Sequence, residues 1–345
     1  MINSVEFGLF DHLDYRHEPP SRTYAERLAL IRAAEEAGFR GYHLAEHHGT
    51  PLGMAPSPGV FLAAAAAVTR RIRLGPMVYC LPLYHPLRLL EEICMLDHLS
   101  NGRLDVGVGR GASPFESALF GIDPQEAVAR HVETLQILRA GLAGERLSHA
   151  GRFFRFDNVP VPLRPLQGRI PFWSAPVTPE AQVHAAGSGM NIMVLGADER
   201  VRALVGQYRE TWARHQPGAA QPLIGACRMI HVAVTDAAAE ARARPALKLW
   251  YTHLARLWRE NSATSPLLSL VENFDDARAS GMVIAGSPDR VRDTLATQIE
   301  HCGFNYAVLQ FAFGDLDHRA AMESIAVFAQ EIIPGLVESS GTITV

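Results

Sequence analysis

Short runs of β-branched and aromatic residues alternate with longer stretches of helical periodicity along most of the chain. The first run, residues 5–10, precedes residues 24–37 (YAERLALIRAAEEA), where apolar positions recur at helical spacing up to Gly38, a residue suited to a left-handed helix end. Residues 41–45 read as a second strand and 57–70 as a helix. Residues 73–81 read as a third strand, 86–99 as a helix and 104–108 as a fourth strand. Four strand–helix units in about 120 residues predict a parallel sheet whose strands are joined by helices.

The pattern continues with a helix over 127–142 and an insertion at 145–167 whose "RFFRFDNV" predicts a hairpin over one rim. Further strands are predicted at 171–174, 191–195, 223–234 and 306–311. Eight strands is the count of a closed (β/α)8 TIM barrel, here with insertions near 145–167 and 260–281 and a single domain spanning residues 1–345. The 260–281 stretch is irregular and precedes a helix at 288–302; a long loop in a compact fold is commonly a lid. The competing architecture is an open dinucleotide-binding sheet, for which "GVGRGA" (107–112) formally satisfies the glycine-rich fingerprint. That fold needs another strand within ~30 residues, and none is predicted before residue 171.

Apolar residues make up 48% of the chain and charged residues 20%, enough to fill a large core. The net charge of -4 leaves no basic face for nucleic acid. Cys80, Cys94, Cys227 and Cys302 form neither a thiolate metal motif nor a disulfide framework, which suits a reducing compartment. The opening residues have no basic leader, and the small-residue run at 61–68 is far short of the ~20 residues a bilayer requires. A cytoplasmic protein without a membrane partner is expected.

Barrel enzymes do chemistry at the carboxyl ends of their strands. "AEHHG" ends the second strand, so Glu46, His47 and His48 are expected at that face. Adjacent strand residues point to opposite sides and no H-x-H occurs, so a metal site is not predicted. The third strand ends in the apolar Met77, Val78 and Leu81, which suit either a core or a bed for a flat ring. The fourth ends in Gly107-Val108-Gly109-Arg110-Gly111, where a guanidinium among glycines offers a fork to an anion approaching the backbone closely. Thr178, before Pro179, can cap a helix whose exposed N–H groups would attract a phosphate. Apolar bed, single anion clamp and imidazole together describe a site for FMN.

The chain also resembles the bacterial luciferase-like flavin-dependent monooxygenases over nearly its whole length. The likeness rests on "FGLF", "AEEAGF" before "AEHH", "LGPMVYCLPLYHPLRLLEEICMLDHLSNGRLDVGVGRG", "PLRPLQGRIPFW", and "GSPDRVRDTL" with "GFNYAVLQF". The resemblance implies a TIM barrel, usually dimeric, binding reduced FMN supplied by a separate NAD(P)H:flavin reductase and using O2 on a small apolar substrate. It implies His47 as the catalytic imidazole, with Glu46 holding it and His48 beside it. It also implies Gly109, Arg110 and Gly111 with Thr178 at the phosphate, and Met77–Val78 against the ring, where the family often has a non-prolyl cis peptide. Luciferase itself has a reactive cysteine before the arginine; Gly109 stands there in this chain, so no thiol can act at that place and light emission is not expected. An F420-dependent oxidoreductase of the same superfamily is the first alternative, although the loop "GASPFES" adds no cation for a longer anionic tail. A non-catalytic flavin-binding protein is the second, and a metal-dependent barrel hydrolase the third.

Overall fold

The computed structural model describes residues 5–339. Its strands are β1 (Glu6–Asp11), β2 (Gly41–Leu44), β3 (Arg73–Pro76), β4 (Tyr79–Cys80), β5 (Val106–Gly109), β6 (Arg146–Ala150), β7 (Arg155–Pro160), β8 (Phe172–Ser174), β9 (Asn191–Val194), β10 (Ile224–Val232), β11 (Val283–Gly286) and β12 (Tyr306–Gln310). Parallel pairing runs in the order β3-β2-β1-β12-β10-β9-β8-β5-β4. Because β3 and β4 are halves of one segment, the ring closes on that segment, with β3 paired to β2 and β4 to β5. This is the (β/α)8 TIM barrel with insertions. The expected third strand, 73–81, is interrupted at Met77–Val78, where the peptide bond is cis.

The 145–167 insertion folds as the expected hairpin, β6 against β7. Residues 260–281 are not the expected irregular loop. They form the helices Pro266–Val271 and Phe274–Ala279, started by side-chain caps from Ser265 and Asn273. Leu268, Val271, Phe274 and Ala277 anchor them in a buried cluster shared with the helix Asp236–Glu260. The strand β11 was absent from the predicted elements because only four residues, VIAG, separate this region from the next helix. It pairs with the carboxyl half of β10, Met229 to Val232.

The barrel lumen is filled by Phe10, Ala45, Met77, Trp173, Met193 and Tyr306. Close approach explains one glycine: a Cβ on Gly8 would stand 2.0 Å from the Tyr306 hydroxyl, which crosses the lumen to His43 Nε2 at 2.9 Å. Burial drives the His43 imidazole down to about 3, so it packs as a neutral core side chain. Among the described residues no helix is long and apolar enough to cross a membrane.

Candidate active site

The chain leaves β2 as Ala45-Glu46-His47-His48, and alternation sends these side chains in different directions. Glu46 turns inward and is 4% exposed. Its Oε2 accepts from the Cys80 backbone N–H at 3.1 Å and from the Tyr84 hydroxyl at 2.8 Å, tying β2 to β4. Its Oε1 lies 2.9 Å from His48 Nε2. Glu46 therefore does not orient His47, contrary to expectation, because its oxygens are spent on Cys80, Tyr84 and His48.

The partner of His47 is Glu116, on the helix Pro114–Leu119 that follows β5. Its Oε1 lies 3.0 Å from His47 Nδ1, and its Oε2 accepts from the His48 backbone N–H at 2.9 Å. Burial pulls the His47 imidazole down, but the charge and hydrogen bond of Glu116, helped by Glu46, outweigh it and raise His47 above its ordinary value. The Glu116 carboxyl is raised by burial and lowered more by His47 and the His48 N–H, for a net fall. Each partner thus favours the charged form of the other.

His12, just past β1, stacks on His47 with ring centroids 5.5 Å apart and 27° between planes. Its Nδ1 lies 3.1 Å from Gln310 Nε2, an amide nitrogen that also donates to the Ala312 carbonyl, and 3.4 Å from Trp250 Nε1. Both neighbours are donors, so Nδ1 is an acceptor and the His12 proton sits on Nε2. Burial and the adjacent His47 push His12 well below its ordinary value. The two stacked imidazoles are thus pushed in opposite directions, His47 toward its charged form and His12 toward its neutral one.

Met77 is buried and Val78 half-buried where β3 gives way to β4. A Cβ on Gly109 would stand 2.5 Å from Val78 Cγ2, and one on Gly107 2.3 Å from the Pro76 carbonyl oxygen. These glycines let β5 pack against the Met77–Val78 segment; Gly111 takes a positive φ of 89° where the chain turns away. Arg110 is exposed beside them. Thr178 caps its helix, accepting from the Ala181 N–H at 3.3 Å, which leaves its O–H free to donate. His131, on the helix Ala127–Ala143, lies against the Gly109 backbone within electrostatic reach of Arg110 and His184. Burial pushes the His131 imidazole down, the Gly109 backbone opposes this, and the neighbouring His184 and Arg110 lower it further; its Nδ1 is buried without a partner. His184 belongs to the helix that Thr178 starts.

A small cavity of about 20 Å³ adjoins His47, Ser113 and Glu116 and is walled by Leu254, Leu257 and Trp258 of the helix Asp236–Glu260. That helix, rather than residues 260–281, supplies the apolar side of this cavity. Its Trp250 reaches His12, its His253 carbonyl accepts from the Thr50 hydroxyl at 2.6 Å, and its Trp258 packs edge-on against Phe115. Among the described residues no group of three or more His, Cys, Asp or Glu is disposed to hold a metal ion.

Sequence reasoning placed Glu46, His47 and His48 at the mouth but missed Glu116, His12 and His131. Glu116 had a signal, an acid in the first turn of a helix starting at Pro114. His12 had one too, a histidine just beyond a barrel strand.

Residues 5–306 match the family model described as luciferase-like monooxygenase. The chain belongs to the luciferase-like monooxygenase family. It is 40% identical over 333 residues to the uncharacterized protein y4wF of Sinorhizobium fredii, covering 96% of this chain and 97% of the relative. It is 30% identical over 266 residues to the oxygenase component of the flavin-dependent trigonelline monooxygenase of Acinetobacter baylyi, covering 74% and 72%. Among solved structures, the monooxygenase RslO1 of Streptomyces bottropensis superposes with a TM-score of 0.87 at 28% identity, covering 95% of this chain and 99% of that one. As a luciferase-like monooxygenase the chain is an oxidoreductase, and its Glu116–His47 pair lies at the barrel face where the fold does chemistry.

Proposed function

We propose that the chain is the oxygenase of a two-component system that takes reduced FMN from a separate reductase and uses O2 on a small apolar substrate. One observation carries this reading: an ion-paired imidazole, His47, opens at the same barrel mouth as an apolar segment, Met77–Val78, flanked by the cationic end of β5 at Arg110. The residues fit the cofactor. His131 presents a buried nitrogen without a partner beside Arg110, and Thr178 keeps a free hydroxyl proton at a helix start, as a phosphate requires.

In this reading Arg110, His131 and Thr178 hold the phosphate, with the Gly109 and Gly111 backbone beside it, and Met77 and Val78 support the ring. When bound, reduced FMN supplies the electrons that activate O2. His47 holds the proton on its imidazolium and delivers it at the reacting centre, oriented by Glu116. Glu46 is a positioning residue that fixes the ends of β2 and β4 against each other. Leu254, Leu257 and Trp258 keep water from the mouth and favour an apolar substrate. The name of the trigonelline relative, an oxygenase component, supports a reductase partner.

The test is to mix protein carrying reduced FMN with oxygenated buffer while following oxygen uptake and hydrogen peroxide release, with F420 binding measured in parallel. The expected result is stoichiometric binding of reduced FMN and oxygen uptake that runs well ahead of peroxide release. Tight F420 binding without FMN binding would replace this function with deazaflavin hydride transfer.

A further inference from the structure

A cavity of about 560 Å³ lies at the opposite end of the barrel from His47, between the segments that lead into β8, β9 and β10. This falls in the range of small-molecule sites, roughly 300–1,000 Å³. Its walls mix apolar residues, Phe172, Trp212, Ile170 and Leu142 among them, with polar ones. Two guanidiniums, Arg139 and Arg169, also face it.

Arg139 is half-buried and Arg169 exposed, and neither has an acid. The fully buried arginines by contrast have an acid or have spent their donors. Arg27 lies 2.9 Å from Asp11 and Arg228 2.8 Å from Asp198, while Arg103 makes bonds from all three nitrogens to Ser100, Thr69, Ile72 and Ala66. Arg139 makes a single bond, to the Ser188 carbonyl at 3.1 Å, and has no acid. Arg169 has neither hydrogen bond nor ion pair among the described residues. Arg139 is depressed first by burial and then by the charge of Arg169, so two like charges converge on the cavity without a counter-ion. The Trp212 indole nitrogen is also buried without a partner. The Arg139 guanidinium carbon stands 5.7 Å from the centre of the Phe172 ring, so cation and flat apolar surface are side by side.

We propose that this cavity is a second binding site, for a small organic carboxylate with a planar apolar body. The carboxylate sits between Arg139 and Arg169, where a guanidinium fork matches its two oxygens. The ring lies against Phe172 and Trp212. Such a ligand neutralises a repulsion built into the free protein and joins the starts of three barrel strands, so it stabilises the fold by mass action. The site uses no residue of the flavin mouth and stands whether or not the oxygenase reading does.

Benzoate, benzamide and inorganic phosphate, compared at constant ionic strength on the flavin-free full-length protein by calorimetry and thermal unfolding, test the proposal. Benzoate is expected to bind at one site and raise the melting temperature with dose, with benzamide and phosphate each at least about tenfold weaker. Arg169→Gln, an exposed change, and Arg139→Gln are each expected to weaken benzoate by about tenfold or more while FMN affinity stays unchanged. Absence of benzoate binding, benzamide or phosphate binding as tightly, or benzoate affinity retained in Arg169→Gln would each overturn it. The last result would place the ligand elsewhere, including in the flavin mouth.

Discussion

Glu116 grips His47 and the turn that carries it, one carboxylate oxygen 3.0 Å from the imidazole Nδ1 and the other accepting from the next residue's N–H at 2.9 Å. A single side chain from the helix after β5 thus sets both the charge and the direction of the imidazole at the end of β2. With Nδ1 held, Nε2 is the position left to exchange a proton.

Replacing Glu116 with Gln keeps the shape and removes the charge. His47 gains stability from its proton below its unfolded value near 6.5, and that gain is lost as pH rises through its elevated folded value. Glu116→Gln is expected to shift the His47 titration downward in nuclear magnetic resonance spectra, and to lower kcat about 10²-fold with little change in FMN affinity. An unmoved His47 titration would show that the carboxylate is not what holds the proton.

Arg110 separates phosphate recognition from ring recognition. Arg110→Ala is expected to weaken FMN by about 1.5–3 kcal/mol, the worth of a charged hydrogen bond, and to leave riboflavin affinity unchanged. Equal loss for both ligands, measured by flavin fluorescence, would place the phosphate elsewhere.

Asp14 is fully buried behind the mouth, accepts from the Gly314 N–H at 2.6 Å and has its other oxygen unpaired. Burial pushes this carboxyl up to about 8 from 3.8. The folded protein therefore binds one more proton than the unfolded chain between these values, and stability falls as pH rises through that window. Asp14→Asn removes the dependence. Its advantage in urea unfolding is expected to grow from about pH 4 to about pH 8, reach on the order of 5 kcal/mol, and then level off. A gain independent of pH would refute the assignment.

Gly109 has no room for a methyl group, since Val78 Cγ2 would lie 2.5 Å from it. Gly109→Ala is expected to displace Val78, cost about 1–3 kcal/mol in stability and reduce affinity for riboflavin as well as FMN, the reverse of the selectivity expected at Arg110.

The barrel was legible because buried parallel strands and amphipathic helices have distinct periods, and the runs before Arg73 and around Leu309 kept theirs. β11 was not, since four residues carry no period. The candidate site was half legible. His47, Arg110 and Thr178 stand next to strand ends or helix starts, which sequence alone locates. Glu116 meets His47 from 69 positions away and His12 meets Gln310 from 298, and such pairings arise only when the ring closes. Glu46 was assigned to its chain neighbour, whereas the bonds it makes run across to β4.

The 25-residue helix Asp236–Glu260 presents Leu254, Leu257 and Trp258 to the cavity beside His47 and Glu116, which come from the segments after β2 and β5. In the proposed function, selectivity would therefore rest on that helix and proton transfer on His47 and Glu116, so substitutions along one of its turns would change the accepted substrate while leaving the proton-transfer pair in place.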